Sequence, residues 1–283
     1  MRLGIIGIDN THADHAVRHL NLEHALGSAR VVAIHGGTAE RSAALAETGG
    51  VETVAERPED LIGQVDAVIV MDRDGALHRA HAVPLLKAGV PVLVDKPLAT
   101  TVADAEAILA AARAGGVPVT SYSALRWAPA LAAVGERAAE IGEIRTVVAT
   151  GPVQRDSVYG GVSFYGVHAV EMALHLLAPP DAAPAVSVLP GAVLAVVPAG
   201  PAHGVINLVE RGPEAAVPFH LEVVGTKGVV AEPVVLAKDY TLPSLRVFLE
   251  MARTGVAPLD EAELLAPVRV MEAISASIAA CAG

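Results

Sequence analysis

One cysteine, Cys281, stands in 283 residues, so neither an internal disulfide nor a cysteine-built metal site is available. Aromatic residues make up only 3% of the chain while hydrophobic residues make up 53%, so the core has to be built from Ala, Val, Leu and Ile. Basic residues are short as well. Lys and Arg number 20 against 31 Asp and Glu, the formal net charge is −11, and no local basic cluster offsets it. Such a chain repels phosphate backbones, which excludes nucleic acid as an expected partner and leaves the charge as a solvated surface. Uninterrupted apolar runs fall short of the roughly 18–20 residues that span a bilayer. The opening LGIIGI run is halted by Asp9 before it could serve as a signal-peptide core. A cytoplasmic protein without a membrane partner is the expectation.

What the sequence does contain, over its first ~120 residues, is alternation of apolar runs and helical spacing. RLGIIG (2–7), VVAIHGG (31–37), VDAVIVM (65–71), VPVLVDKP (90–97) and VPVTSY (117–122) read as strands. Between them, 11–26, 38–47, 75–88 and 102–114 read as helices, the first with Thr11 as its N-cap. Strands apolar on both faces with helices between them predict an α/β fold, a Rossmann-type doubly wound parallel sheet over residues 1–122. Ligands of such sheets lie beyond the carboxyl ends of the strands. Those ends here are Gly7–Asp9, His35–Gly37, Met71–Asp74, Asp95–Pro97 and Ser121–Tyr122.

From 123 to 283 the rhythm changes. Helices at 129–141 and 162–177 and a strand at 143–152 precede Pro- and Gly-separated apolar segments that read as an antiparallel meander, and helices at 243–253 and 260–280 close the chain. The expectation is a C-terminal α+β domain for substrate and oligomerisation, with a mostly antiparallel sheet and a last helix able to pack back on the first domain.

The first turn is unusual. After Gly7 come Asp9, Asn10 and His12, then His15 and His19. An Asx-type turn at the helix start accounts for Asp9 and Asn10. Carboxylate and imidazole side chains also raise a metal site, but no second ligand cluster accompanies them, and no metal is expected.

At VLVDKPLATTVADAEAIL the chain resembles the glucose–fructose oxidoreductase and inositol dehydrogenase (Gfo/Idh/MocA) family, with Asp95-Lys96-Pro97 in place of the usual Glu-Lys-Pro. Further segments follow in the family's order: GALHRAHAVPLLKAGVPVL with His78; YSALRWAP with Arg126, Trp127 and Pro129; and GGVSFYGVHAVEMALHLL, where Gly166, His168 and Glu171 fit D-x-G-x-H-x-x-D. HLEVVGTKGVV and the closing helices also look like family segments.

The resemblance implies NAD or NADP as cofactor. It implies hydride exchange with a small polyol, sugar or related carbonyl compound, and a homodimer or higher homo-oligomer. It places Lys96 and His168 at the reacting carbon as the catalytic pair. It puts Gly7, Asp9, Asn10, His12, Gly36, Asp72, His78, Asp95 and Pro97 along the cofactor, and Tyr122, Arg126, Trp127, Tyr165 and Glu171 toward the substrate. A histidine near neutral pKa can take the alcohol proton, and a lysine cation stabilises a developing alkoxide.

Two departures stand beside these matches. The family's G-x-G-x-x-G/A is here Gly7-Ile8-Asp9-Asn10-Thr11-His12, and the Asp four residues before the histidine is Phe164, for which Tyr165 or Glu171 are candidate substitutes. After the second strand, His35-Gly36-Gly37 with Arg41 leaves NADP open. Two other readings stay open too: a ligand- or partner-binding protein without cofactor, and a non-redox lyase or isomerase.

Overall fold

The computed structural model describes residues 1–212 and 217–282. The chain divides into two units. One comprises Met1–Ala99, Ala103–Tyr122 and Thr241–Glu261, the other Thr100–Val102, Ser123–Tyr240 and Ala262–Gly283.

In the first unit the elements run β1 (Arg2–Ile6), α1 (Thr11–Val17), β2 (Arg30–His35), α2 (Ala39–Gly49), β3 (Thr53–Ala55), β4 (Ala67–Val70), α3 (His78–Lys87), β5 (Val92–Asp95), α4 (Val102–Gly115) and β6 (Val119–Tyr122). The strands form a parallel sheet in the order β3-β2-β1-β4-β5-β6, the doubly wound arrangement expected from the apolar runs. β4 is buried at every position, as a strand covered on both faces must be. β3 is absent from the sequence reading. It is three residues long on the sheet edge and its Val54 is 49% exposed, so it carries no apolar run to detect.

The first helix differs from its expectation at both ends. Asn10, not Thr11, is the N-cap: its Oδ1 accepts from the backbone N–H of His12 at 2.8 Å and of Ala13 at 3.2 Å, and Thr11 is the first helical residue. The α-helix stops at Val17 and continues as a π-helical turn over Arg18–Leu22. Asn21 in that turn donates to the carbonyls of Val31 and Gly49 and accepts from Val31 N–H, which ties the turn to β2 and ends the regular repeat.

The stretch Thr241–Thr254, grouped with the second domain by the sequence reading, forms a helix counted with the first unit. Its Leu245, Phe248 and Met251, spaced three apart on one face, are buried, and Tyr122 Oη of β6 donates to the carbonyl of Ser244 at 2.7 Å.

The second unit holds α5 (Pro129–Ala138), β7 (Ile144–Val153), α6 (Ser163–Leu174), β8 (Ala185–Leu189), β9 (Ala192–Ala199), β10 (Ala202–Glu210), β11 (His220–Gly225), β12 (Gly228–Pro233) and, after α7 (Thr241–Thr254) of the first unit, α8 (Glu261–Ala282). Its sheet runs β12-β11-β7-β10-β9-β8. All neighbours are antiparallel except β7 and β10, which are parallel: the meander read from the sequence starts only after α6 has carried the chain away from β7. One sheet face packs against α5, α6 and α8 in a core of short aliphatic side chains, among them Val134, Val167, Val170, Ile206, Leu208 and Ile274.

The last helix is apolar without being an uninterrupted apolar run. Glu261–Cys281 is long and apolar enough, by length and composition, to cross a membrane, with a mean hydropathy of 1.5 in its best window. Arg269 and Glu272 break its run, yet the mean stays that high because the rest of the helix is so apolar. Val268, Val270, Met271 and Ile274 are buried, and core helices meet the same criterion.

Candidate functional site

The carboxyl ends of β1, β2, β4 and β5 lie side by side in the first unit. Gly7 has φ +80° and donates its N–H to the carbonyl of His35 at 3.0 Å, while Gly36 (φ +98°) and Gly37 (φ +77°) turn the chain after β2. A Cβ on Gly36 would come within 3.3 Å of Gly7 N, so the two turns pass backbone to backbone. Beside them a cleft of about 420 Å³ opens, lined by His35, Gly36, Gly37, Ser42, Val54 and Ala55. Asp9 is exposed, and its carboxylate lies 3.2 Å from where a Cβ on Gly37 would stand. Arg41 is drawn inward: it donates through both Nη atoms to Asp14, at 2.8 and 2.9 Å, and through Nε to the carbonyl of Ile8 at 3.0 Å.

His12 reaches across to β5. Its Nδ1 donates to Asp95 Oδ2 at 2.7 Å, and the two side chains are 24% and 19% exposed. The Asp95 charge raises the His12 pKa above the ordinary imidazole value, against burial and the nearby Lys96, which lower it. Burial pushes Asp95 up, but the His12 charge and hydrogen bond, together with Lys96, outweigh it and hold the carboxyl well below the usual carboxylate range. The signs fix a pH window. Asp95 contributes stability above its unfolded pKa and loses it as pH falls through the depressed folded value. His12 contributes below its unfolded pKa and loses it as pH rises through the raised folded value. The stability difference between wild type and His12→Gln, measured by urea unfolding across pH, should therefore be greatest in weakly acidic solution and shrink above the His12 midpoint.

Lys96, next in the chain, is nine-tenths buried, and its peptide bond to Pro97 is cis. The turn is fastened by His78, which is fully buried with Nδ1 2.8 Å from the Pro97 carbonyl and Nε2 3.0 Å from the Asp72 carbonyl. The Asp72 carboxylate accepts from His81 Nδ1 at 2.7 Å. His78 thus bridges the β4 and β5 tips. Tyr122 is 3% exposed, its phenol pushed up by burial and by the Asp95 charge.

The second unit has its own constellation. His168 on α6 shares a hydrogen bond between Nδ1 and Ser123 Oγ at 2.6 Å, and Ser123 N–H donates to Glu171 Oε2 at 2.6 Å. Ser123 Oγ thus meets that ring nitrogen, and the buried Glu171 carboxylate holds the Ser123 backbone. The only hint in the sequence is that Ser123 directly follows a strand tip. The His168 ring is 5.6 Å from Phe219 and 6.4 Å from Tyr165, and the Arg211 guanidinium lies 5.4 Å from the Tyr165 ring. Arg126 donates to Glu263 at 2.7 Å and sits 5.9 Å from the Trp127 ring. Among the described residues, no group of three His, Cys, Asp or Glu side chains is placed to hold a metal ion.

Comparison with known proteins bears on the first of these constellations. Residues 1–123 match the family model GFO_IDH_MocA, described as an oxidoreductase family with an NAD-binding Rossmann fold. These residues belong to the Gfo/Idh/MocA oxidoreductase family. Inositol 2-dehydrogenase 1 of Saccharopolyspora erythraea is 42% identical over 113 residues, which cover 39% of this chain and 32% of that protein. Inositol 2-dehydrogenase 2 of the same organism is 31% identical over 186 residues, 62% of this chain and 54% of the relative. The matched part of the chain thus spans between a third and about half of these relatives' length. The structure of GenD2 from gentamicin A biosynthesis, in complex with NAD, superposes with a TM-score of 0.83 over 99% of this chain and 94% of that one, at 19% identity, a likeness of fold.

On this Gfo/Idh/MocA scaffold the turns at the β1 and β2 tips differ from one another. The cleft at Gly36–Gly37 stands open, and a Cβ on either glycine would meet the neighbouring Gly7–Asp9 turn. The phosphate turn is altered: Asp9 and His12 replace its second and third glycines, and two helix amides are already taken by Asn10.

Proposed function

We propose that the protein is a nicotinamide-dependent oxidoreductase acting on the hydroxyl or carbonyl group of a small polyol, sugar or related compound. The carrying observation is the Asp95-Lys96-Pro97 turn, kept with a nine-tenths buried lysine at the β5 tip of a domain 42% identical to an inositol 2-dehydrogenase. The residues proposed to hold the cofactor are Gly7, Gly36 and the rest of the adenosine cleft, with the backbone of the Asp9–Asn10 turn toward the phosphates. When bound, nicotinamide supplies the hydride acceptor or donor. Lys96 would present its ammonium to the reacting oxygen and stabilise the negative charge that develops there. His168 would exchange the alcohol proton, with Ser123 fixing its ring.

Titration of the purified full chain with NADH and NADPH by calorimetry tests this reading. NADH is expected to bind more tightly, since Arg41 is committed to Asp14 and the Ile8 carbonyl and is not offered to a 2′-phosphate. No binding of either up to millimolar concentration would leave the second reading, a lyase or isomerase using the same residues without nicotinamide. That reading is favoured by one observation, the Asn10 cap and Asp9 carboxylate in the phosphate turn.

The proposed assembly is a homo-oligomer through the outer sheet face of the second unit. There Val205 pairs across the ladder with Val148 on one side and Val196 on the other, and Val196 is 41% exposed. Val205→Asp is expected to convert the assembly to monomer in light scattering, with the circular dichroism of the fold retained. A variant that elutes as the wild type removes this interface.

A further inference from the structure

The chain holds only four Tyr and three Phe, yet Tyr159, Phe164, Tyr165 and Phe219 gather around one histidine of the second unit. Ring centroids stand 5.3 Å apart from Tyr159 to Phe164 and 4.8 Å apart from Phe164 to Tyr165. Tyr165 and Phe219 then flank His168 at 6.4 and 5.6 Å. Tyr122 and Phe248 are buried in the first unit, whereas all four rings at His168 are half-buried and keep part of their surface open. Open ring surface of this kind suits the C–H face of a sugar or polyol chain.

A charged feature adjoins this row. The parallel strands β7 and β10 end side by side, Val153 paired with Glu210. A cleft of about 640 Å³ opens at their tips, with Gln154, Arg155, Asp156, Glu210 and Arg211 among its lining residues. Arg155 is paired with Glu210, so those two charges offset one another. Arg211 is exposed, and among the described residues it enters no ion pair and no hydrogen bond. Its guanidinium instead lies 5.4 Å from the centre of the Tyr165 ring, the ring next to His168. An arginine held against an aromatic ring is fixed in place, while its N–H donors point sideways in the guanidinium plane.

We propose that the substrate is an acidic sugar or polyol, a uronate or aldonate, whose carboxylate is bound by Arg211 with Tyr165 holding the guanidinium beside His168. The planar fork of N–H donors matches the two oxygens of a carboxylate, and such charge-assisted pairs are the strong ones. The sign and size of the charge also match. Asp156 and Glu210 stand on the same rim and repel a dianion such as a phosphate monoester. A single carboxylate charge offsets the single charge of Arg211. The half-buried rings of Tyr165 and Phe219 supply the apolar wall for the carbon chain, on either side of the imidazole proposed to exchange the alcohol proton. The inference narrows the substrate class of the proposed oxidoreductase and rests on that reading for the chemistry. The carboxylate site itself needs no nicotinamide.

Binding to the full chain tests it, by calorimetry with and without NADH. The acids D-glucuronate, D-galacturonate and D-gluconate are compared with neutral D-glucose, D-galactose and D-sorbitol, and with D-glucose 6-phosphate. At least one acid should bind about ten- to a hundredfold more tightly than its neutral counterpart, the range of one hydrogen-bonded charge. Arg211→Gln should abolish that preference, and Arg211→Lys should keep part of it. Circular dichroism checks that the variants are folded, as expected for a change at an exposed position. Acids that bind no better than the neutral compounds overturn the proposal, and so does a preference that survives Arg211→Gln. Tighter binding of the phosphate than of every acid overturns the carboxylate assignment. Failure of the two readings can be told apart. An acid preference without NADH binding removes the nicotinamide reading alone, and NADH binding without an acid preference removes this inference alone.

Discussion

Lys96→Ala should lower turnover by on the order of 10²–10³-fold, while NADH affinity stays close to that of the wild type. The ammonium sits nine-tenths buried at the end of β5, between Asp95 and Pro97, close enough to His12 and Asp95 to shift both their titrations. In such a place a charge is worth far more than in open water. Alanine removes that charge and leaves the cleft at the β2 and β3 tips, proposed for the cofactor, untouched. Lys96→Arg should not rescue the rate, because a planar fork does not replace a compact ammonium. Steady-state kinetics beside calorimetric NADH titration separate the two effects. A fully active Lys96→Ala protein would remove the lysine from the proposed chemistry.

Gly7→Ala is expected to cost stability on the order of 3–5 kcal/mol and to lower Tm by roughly 10 °C or more. Its φ of +80° already disfavours any side chain, and the added Cβ would stand 2.4 Å from the backbone nitrogen of Asp72 and 2.6 Å from its Cα. The obstacle is backbone, which cannot swing away. Relief would require parting the β1 and β4 tips, which are joined there by the Met71 N–H donating to the Ile6 carbonyl at 2.8 Å. Gly50→Ala supplies the control. Gly50 also has positive φ, +58°, but nothing lies within 4 Å of its virtual Cβ, so only the conformational term of about 1 kcal/mol should be seen. Equal losses in the two variants would show that the contact with Asp72 is immaterial.

The parallel sheet was legible because strands buried on both faces announce themselves as unbroken apolar runs, as VDAVIVM does. β3 was not legible, because an edge strand of three residues needs no such run. Helix ends depended on side chains whose partners are remote: Asn10 and Thr11 are equally plausible caps by type, and only the fold shows which oxygen meets the free amides. The site followed the same division. Lys96 could be placed by its position at a strand tip, and His78 only by the resemblance of its segment to the family's. The His12–Asp95 pair joins residues 83 apart and the Ser123–His168 contact residues 45 apart, with no local signal in either case. The parallel pairing of β7 with β10 inside an otherwise antiparallel sheet is likewise a matter of connection, which alternation of side chains does not encode.

The return of Thr241–Thr254 to the first sheet has a practical outcome for anyone dissecting this chain. A fragment cut at Tyr122 would carry all six parallel strands yet lack the helix that shields part of them, leaving Tyr122 without its acceptor and the aliphatic flank of β4 and β5 open to water. Such a fragment would be prone to self-association. The parallel-sheet half cannot be exchanged between homologues as one contiguous cassette; a workable graft has to carry residues 241–261 with it.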